Sequence, residues 1–270
     1  MAPALLCYAL SACAFGLNSI LKRSRWLGAA VLLLGGGATL QALDLAVRGL
    51  AAGNIPVTNF AQSLYFLAWL TALVGLVFIV RLKISAIGAF LAPVVTVVAG
   101  ASYLMTETGH FVLPEPLRSV WLPIHVTLAF LGYALFVIAA SVSIVYLVQE
   151  SRLKSKRPMS APGDAALSLE KLDRINYRLL VCGFALLSLA IASGAIWAEA
   201  TWGRFWTWEP KESWALVLWI LYASLLQARL TVGWRGRRAA ALTIAVFGVL
   251  VGLYLGVNLI SPGTHGGGFG

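Results

Sequence analysis

Three histidines, His110, His125 and His265, are the only imidazoles in this 270-residue chain. His125 lies in the run Trp121-Leu-Pro123-Ile-His125-Val-Thr, ahead of a long apolar segment. Pro123 suits the first turn of a helix, where its missing N–H removes no hydrogen bond. His125 is therefore expected one turn inside a helix mouth. His265 lies in Ser261-Pro-Gly-Thr-His265-Gly-Gly-Gly-Phe-Gly, where the glycines free the backbone to fold back over a neighbouring surface. Between the two runs Trp197-Ala-Glu-Ala-Thr-Trp202-Gly-Arg-Phe-Trp206-Thr-Trp208-Glu209-Pro210-Lys211-Glu212-Ser-Trp214, with five of the ten tryptophans. An interfacial belt places indoles at headgroup depth. Five in one short stretch, with Gly203 and Pro210 shaping the backbone, exceed that need and suit an aromatic platform for a flat ligand. Two imidazoles beside such a platform could ligate the iron of a haem from opposite faces. The ring's acidic edge would need cations, and Arg118, Arg204 and Lys211 are the basic residues near this set. Zinc is the competing reading, held by two histidines with Glu199, Glu209 or Glu212, but zinc has no use for an indole platform.

The elements that must position these groups are apolar. Hydrophobic residues make up 60% of the chain and charged ones 11%, more apolar surface than a soluble domain of this size can hide. Eight runs are long enough to cross a hydrocarbon core: Ala4–Leu21, Leu27–Val47, Phe60–Val80, Ala86–Leu104, Leu122–Val148, Leu179–Ala198, Trp214–Leu230 and Ala239–Ile260. Barrel strands would be shorter and would alternate. The expected fold is therefore all-α, one polytopic membrane helix bundle over residues 1–270, with no soluble domain and no internal repeat. Sixteen of the twenty basic residues fall in one set of connections and four (Arg48, Arg118, Arg204 and Lys211) in the other. The positive-inside rule then puts the larger set in the cytoplasm and both termini outside, with the Trp-rich loop 197–214 facing outward. The apolar N-terminal stretch lacks a preceding positive charge and is read as a retained first helix. The segment 149–177 carries Pro158, Pro162 and Gly163 and reads as a cytoplasmic linker, with a short surface helix beginning near Ser168. The net charge of +10 follows membrane topology and forms no aromatic-interleaved stripe, which excludes a nucleic-acid partner and leaves lipid. Cys7, Cys13 and Cys182 form no C-x-x-C pair and read as buried small residues. Asp44, near the outer end of the second run, has three readings: a functional intramembrane acid, an acid snorkelling to the loop, or a partner of Arg48 one helical turn on; Gln227 could bridge helices. No side chain is expected to act as a catalytic base or nucleophile.

The run from Trp202 to Trp214 resembles the "WWD" signature of the haem-handling cytochrome c assembly proteins, in the CcsA (ResC) branch. The tail Gly256-Val-Asn258-Leu with His265, the run Leu122-Pro-Ile-His125-Val, and Pro56-Val-Thr-Asn59-Phe-Ala-Gln-Ser63-Leu-Tyr65-Phe-Leu-Ala-Trp69 resemble that branch as well. The resemblance implies haem b bound at the outer membrane face, with His125 and His265 as axial ligands and Trp202, Trp206, Trp208, Glu209, Pro210 and Trp214 against the porphyrin. It implies a haem-handling subunit of a cytochrome c synthase (haem lyase), partnered by a CcsB/ResB-type membrane protein and serving apocytochrome c with its C-x-x-C-H motif. The location implied is a bacterial cytoplasmic membrane, or a thylakoid membrane in a plastid. Glu209 stands where the family usually has Asp, and Gln227 where many members carry an intramembrane haem-ligating histidine. His110 matches no motif. A HemX-like relative that regulates haem synthesis, and a transporter of another class, are the alternative readings.

Overall fold

The computed structural model describes residues 1–21, 24–82, 84–105, 119–155 and 168–260. Arg118, His110 and His265 lie outside the described residues, as do residues 156–167 of the linker. The described chain is all-helical: α1 (Ala2–Leu21), α2 (Ser24–Ala52), α3 (Phe60–Leu82), α4 (Ser85–Leu104), α5 (Trp121–Lys154), α6 (Leu169–Trp202), α7 (Pro210–Thr231) and α8 (Arg237–Ile260). All eight are long and apolar enough to cross a membrane.

Each apolar run became one helix, but the helices outrun the apolar stretches. α5 and α6 are 34 residues each, about 51 Å long against a hydrocarbon core of about 30 Å. Hydrophobicity marks where the chain crosses lipid, whereas backbone hydrogen bonding continues until a cap stops it. The short surface helix expected near Ser168 is instead the beginning of α6. Ser168 caps it, its Oγ accepting from Lys171 N at 3.2 Å. Glu170 follows in the first turn, where the helix dipole favours an acid. At the other end α6 absorbs Trp197 and Trp202, and α7 begins at Pro210, so only Gly203–Glu209 of the Trp-rich stretch is non-helical.

The bundle is organised around α5, which packs along α6 and also meets α3, α4 and α8; α1 packs on α2 and α4, and α7 on α6 and α8. Two polar clusters sit at opposite ends. At one, Arg48 Nε donates to Asp44 Oδ2 at 2.9 Å, an i,i+4 pair. At the other, Arg229 is only 6% exposed. Its Nη2 donates to Asp173 Oδ2 at 2.7 Å, and Asp173 Oδ1 accepts Gly236 N at 2.9 Å. Asn176 completes that cluster, donating to Ser143 Oγ at 2.8 Å. Arg229, counted by sequence as one more flanking charge, thus pins α6, α7 and the α7–α8 turn together. Gln227 lies on the exposed side of α7, so it bridges no helix in this chain. Cys13 and Cys182 are exposed rather than buried. A small apolar residue in a membrane helix can face lipid as readily as the core, which hydrophobicity alone does not distinguish.

Candidate functional site

A cavity of about 250 Å³ opens at the end of the bundle where the α2–α3 loop, the start of α5, the end of α6, the start of α7 and the end of α8 meet. His125 lines it from the second turn of α5. Its Nδ1 lies 2.7 Å from the carbonyl oxygen of Ala190 on α6. A carbonyl can only accept, so Nδ1 carries the proton, and in the neutral form of the ring the lone pair is the one on Nε2. Behind the imidazole stands Trp197, 2% exposed, its ring centroid 6.3 Å away. The α5 face continues the wall with Phe130 and Tyr133, and Tyr254 comes from α8. Val57 and Thr58 close the side formed by the α2–α3 loop. Thr58 N and Oγ1 both donate to Gln62 Oε1, at 3.0 and 2.9 Å, which holds that loop against the start of α3.

The tryptophan loop crosses the cavity mouth because its two ends are fixed. Gly203 ends α6 in the left-handed conformation (φ 69°), and its N–H donates to Glu199 O at 2.9 Å. Only a residue without Cβ takes that conformation at no steric cost. Pro210 opens α7 at a position where its missing N–H is harmless. Glu212, two residues on, reaches back: its Oε2 accepts Thr207 N at 2.8 Å and Thr207 Oγ1 at 3.0 Å. Trp208, next to that anchor, is held at φ 59°, a backbone conformation rare for a bulky side chain.

The five indoles do not form one surface. Trp206 and Trp214 line the cavity together with Trp197. Trp202 packs on Trp197 at 5.2 Å between centroids, away from the cavity. Trp208 is 71% exposed and meets Trp206 edge-on at 5.9 Å. Among the cations, Lys211 lines the cavity, whereas Arg204 is exposed and does not. Glu209 is the residue before α7 and, like Pro210, sits outside the cavity lining. The indole Nε1 of Trp206 is buried with no hydrogen-bond partner among the described residues.

Two contributors escaped the sequence reading. The Ala190 carbonyl is backbone, and a backbone acceptor has no residue signature. Gly194 adjoins the His125 ring so closely that a Cβ there would stand 2.8 Å from both Cε1 and Nδ1. Its only sequence signal is a glycine inside a helical stretch, shared with Gly183, where glycine is intrinsically unfavourable. No group of three or more metal-ligating side chains occurs among the described residues, and the wall around His125 is mainly apolar and aromatic, with Glu212 the carboxylate among its described lining residues.

The profile of the family described as "Cytochrome C assembly protein" matches residues 57–265. The cytochrome c biogenesis protein CcsA of a Synechococcus strain is 34% identical, over 86% of this chain and 83% of that protein. CcsA of Chlamydomonas reinhardtii is 33% identical, over 94% of this chain and 72% of its own length. CcsA of Prochlorococcus marinus is 34% identical, over 84% of this chain and 80% of its own. Among solved structures, the cytochrome c haem lyase CcmF superposes with a TM-score of 0.67 at 16% identity. That superposition covers 94% of this chain but 45% of CcmF, so it speaks to the fold alone. A match over residues 57–265, with relatives about one-third identical along most of both chains, makes this chain a member of the cytochrome c assembly protein family.

Proposed function

We propose that this chain serves cytochrome c biogenesis by holding haem b in the cavity beside His125 and presenting it, on the outer face of the membrane, to apocytochrome c. The observation that carries the reading is the state of His125: an imidazole oriented through Nδ1 by a helix carbonyl, at the wall of an aromatic cavity. Metal-ligating histidines are typically held this way, with the second ring nitrogen donating to a carbonyl or carboxylate. The residues present fit the group. Phe130, Trp206 and Trp214 supply apolar and aromatic contact, while Lys211 and the unsatisfied Trp206 Nε1 supply a charge and a donor for the propionates.

His265 is the second axial ligand in this reading and Arg118 a further propionate partner, both on the family resemblance. Haem is the substrate here, and it contributes the iron that the imidazoles hold and the vinyl groups that react. The chain's task is to fix the ring so that apocytochrome thiols meet its vinyl edge. A thiol adds across a vinyl group without loss of a leaving group, so orientation is the main catalytic need, and orientation can lower a barrier by several kcal/mol. A CcsB/ResB-type membrane protein completes the synthase. Under the positive-inside rule the cavity end faces away from the cytoplasm, because Arg48, Arg204 and Lys211 are its only described basic residues. In a bacterium this is the cytoplasmic membrane.

The test is to co-express the chain with a ResB-type partner, purify the complex, and record the haem spectrum of His125→Ala and His265→Ala. Each substitution is expected to lower haem retention and shift the axial-ligand bands. Unchanged retention and spectra in both would remove the site assignment.

A further inference from the structure

The packing of α5 on α6 shows how the height and strength of an axial ligand could be set. His125 and Phe136 on α5 are eleven residues apart, as are Gly183 and Gly194 on α6, about three helical turns. Each ring is seated on the glycine opposite it. A Cβ at Gly183 would stand 2.6 Å from Phe136 Cε1, and one at Gly194 would stand 2.8 Å from His125 Cε1. The same antiparallel register carries Leu122 against Trp197 and Asn176 to Ser143. Sliding α6 by one residue would displace each socket by about 1.5 Å along the axis, so the register fixes where the imidazole stands.

Ala190 and Ser193 add an electronic element. The Ala190 carbonyl that accepts from His125 Nδ1 also accepts from Ser193 Oγ, at 2.9 Å. Ser193 is 6% exposed, so water does not compete freely for that hydroxyl. Two side-chain donors on one helix carbonyl divide its accepting power, which limits how far it can draw the Nδ1 proton and enrich Nε2.

We infer that the Ala190–Ser193–Gly194 turn of α6 is the positioning element of the His125 ligand: Gly194 provides the socket, the Ala190 carbonyl sets the tautomer, and the Ser193 hydroxyl moderates how strongly Nε2 donates to iron. The inference rests on the reading of His125 as an axial ligand. These are positioning residues: Ala190 and Gly194 also line the cavity, but the role assigned to all three runs through the imidazole.

The experiment uses the full chain co-expressed with its ResB-type partner. In haem-free protein labelled with 15N-histidine, the His125 signal is identified by its loss in His125→Ala. Wild type is expected to show the proton on Nδ1, and Gly194→Ala a mixture of tautomers. After loading, Gly194→Ala is expected to retain haem about 10–100-fold less tightly, the usual effect of disturbing a ligand's supporting shell. Ser193→Ala, which adds no bulk, is expected to keep the haem and shift its reduction potential downward, because the carbonyl freed of one donor pulls harder on Nδ1–H. Gly183→Ala crowds Phe136 in the same manner and is expected to change neither tautomer nor potential. A wild-type tautomer and retention in Gly194→Ala, an unmoved potential in Ser193→Ala, or a Gly183→Ala variant that reproduces the Gly194→Ala effects would each overturn the inference. Should Gly194→Ala fail to accumulate, Ser193→Ala decides alone. If His125→Ala leaves the haem spectrum unchanged, the ligand reading fails, and the haem-free tautomer still decides the positioning claim.

Discussion

Glu212 is the residue on which the shape of the tryptophan loop depends, and Glu212→Ala is the perturbation that measures it. Its Oε2 takes two hydrogen bonds from Thr207, one from the backbone N–H and one from Oγ1, at 2.8 and 3.0 Å. Bonds to a charged acceptor contribute roughly 1.5–3 kcal/mol each. Glu212 and Thr207 are only partly buried, so the lower end applies and the pair contributes about 3 kcal/mol to loop order. At about 1.4 kcal/mol per tenfold, that is on the order of a hundredfold in the population of the closed loop. Glu212→Gln keeps an acceptor without the charge and should forfeit about half of this. Thr207→Val removes only the hydroxyl bond and should forfeit about 1.5 kcal/mol. Hydrogen exchange at the Thr207 amide, read by mass spectrometry on the detergent-purified protein, should accelerate most in Glu212→Ala and by a smaller, similar amount in Glu212→Gln and Thr207→Val. Haem retention should fall in the same pattern, because Trp206 and Trp214 flank the anchored segment. An unchanged Thr207 exchange rate in Glu212→Ala would refute the anchoring argument, whatever the haem content.

Removing one partner of the buried Arg229–Asp173 pair strands the other, at a cost of about 3–5 kcal/mol; Asp173→Ala should therefore lower the thermal midpoint in detergent markedly, while Arg48→Ala, at a partly exposed pair whose Asp44 also faces the Met1 amino group, should move it much less. Trp197 is 2% exposed and Trp208 71%, so Trp197→Ala should destabilise by about 3–5 kcal/mol, whereas Trp208→Gly, which relieves the φ of 59°, should leave stability unchanged or raise it by about 1 kcal/mol. Lys211 lines the cavity and Arg204 does not, so Lys211→Ala should weaken haem retention in a titration with the purified complex and Arg204→Ala should have little effect.

Much of the architecture was legible in the residue string. A membrane helix must satisfy its own backbone and present apolar side chains for some twenty residues, so its position is written locally and all eight helices could be read. The Asp44–Arg48 pair, one of three readings of Asp44, needed only one turn of one helix to be foreseen; the structure chose it. Helix ends were less so: α6 begins at a cap ten residues before its apolar run, and α5 continues six residues beyond its own. The Trp-rich stretch and His125 stood out by composition and by the proline beside them. Their division of labour did not. Which indoles face the cavity depends on where α6 stops and α7 starts, and that turns on Gly203, Thr207 and Glu212 acting across the loop.

The remaining facts belong to tertiary structure alone. Arg229 looks like any flanking charge until α6 brings Asp173 against it. Gln227 looks like a helix bridge until α7 takes an outer position with that side exposed. The sockets at Gly183 and Gly194 exist only because α5 and α6 run antiparallel in one register, bringing residues far apart in the chain into van der Waals contact. Most tellingly, the group that orients His125 is a main-chain carbonyl, which every residue carries and none advertises. Periodicity and residue type could determine that this chain crosses a membrane eight times and concentrates aromatic residues and a histidine at one end. The choice of the nitrogen that keeps the lone pair was left to the packing of two helices.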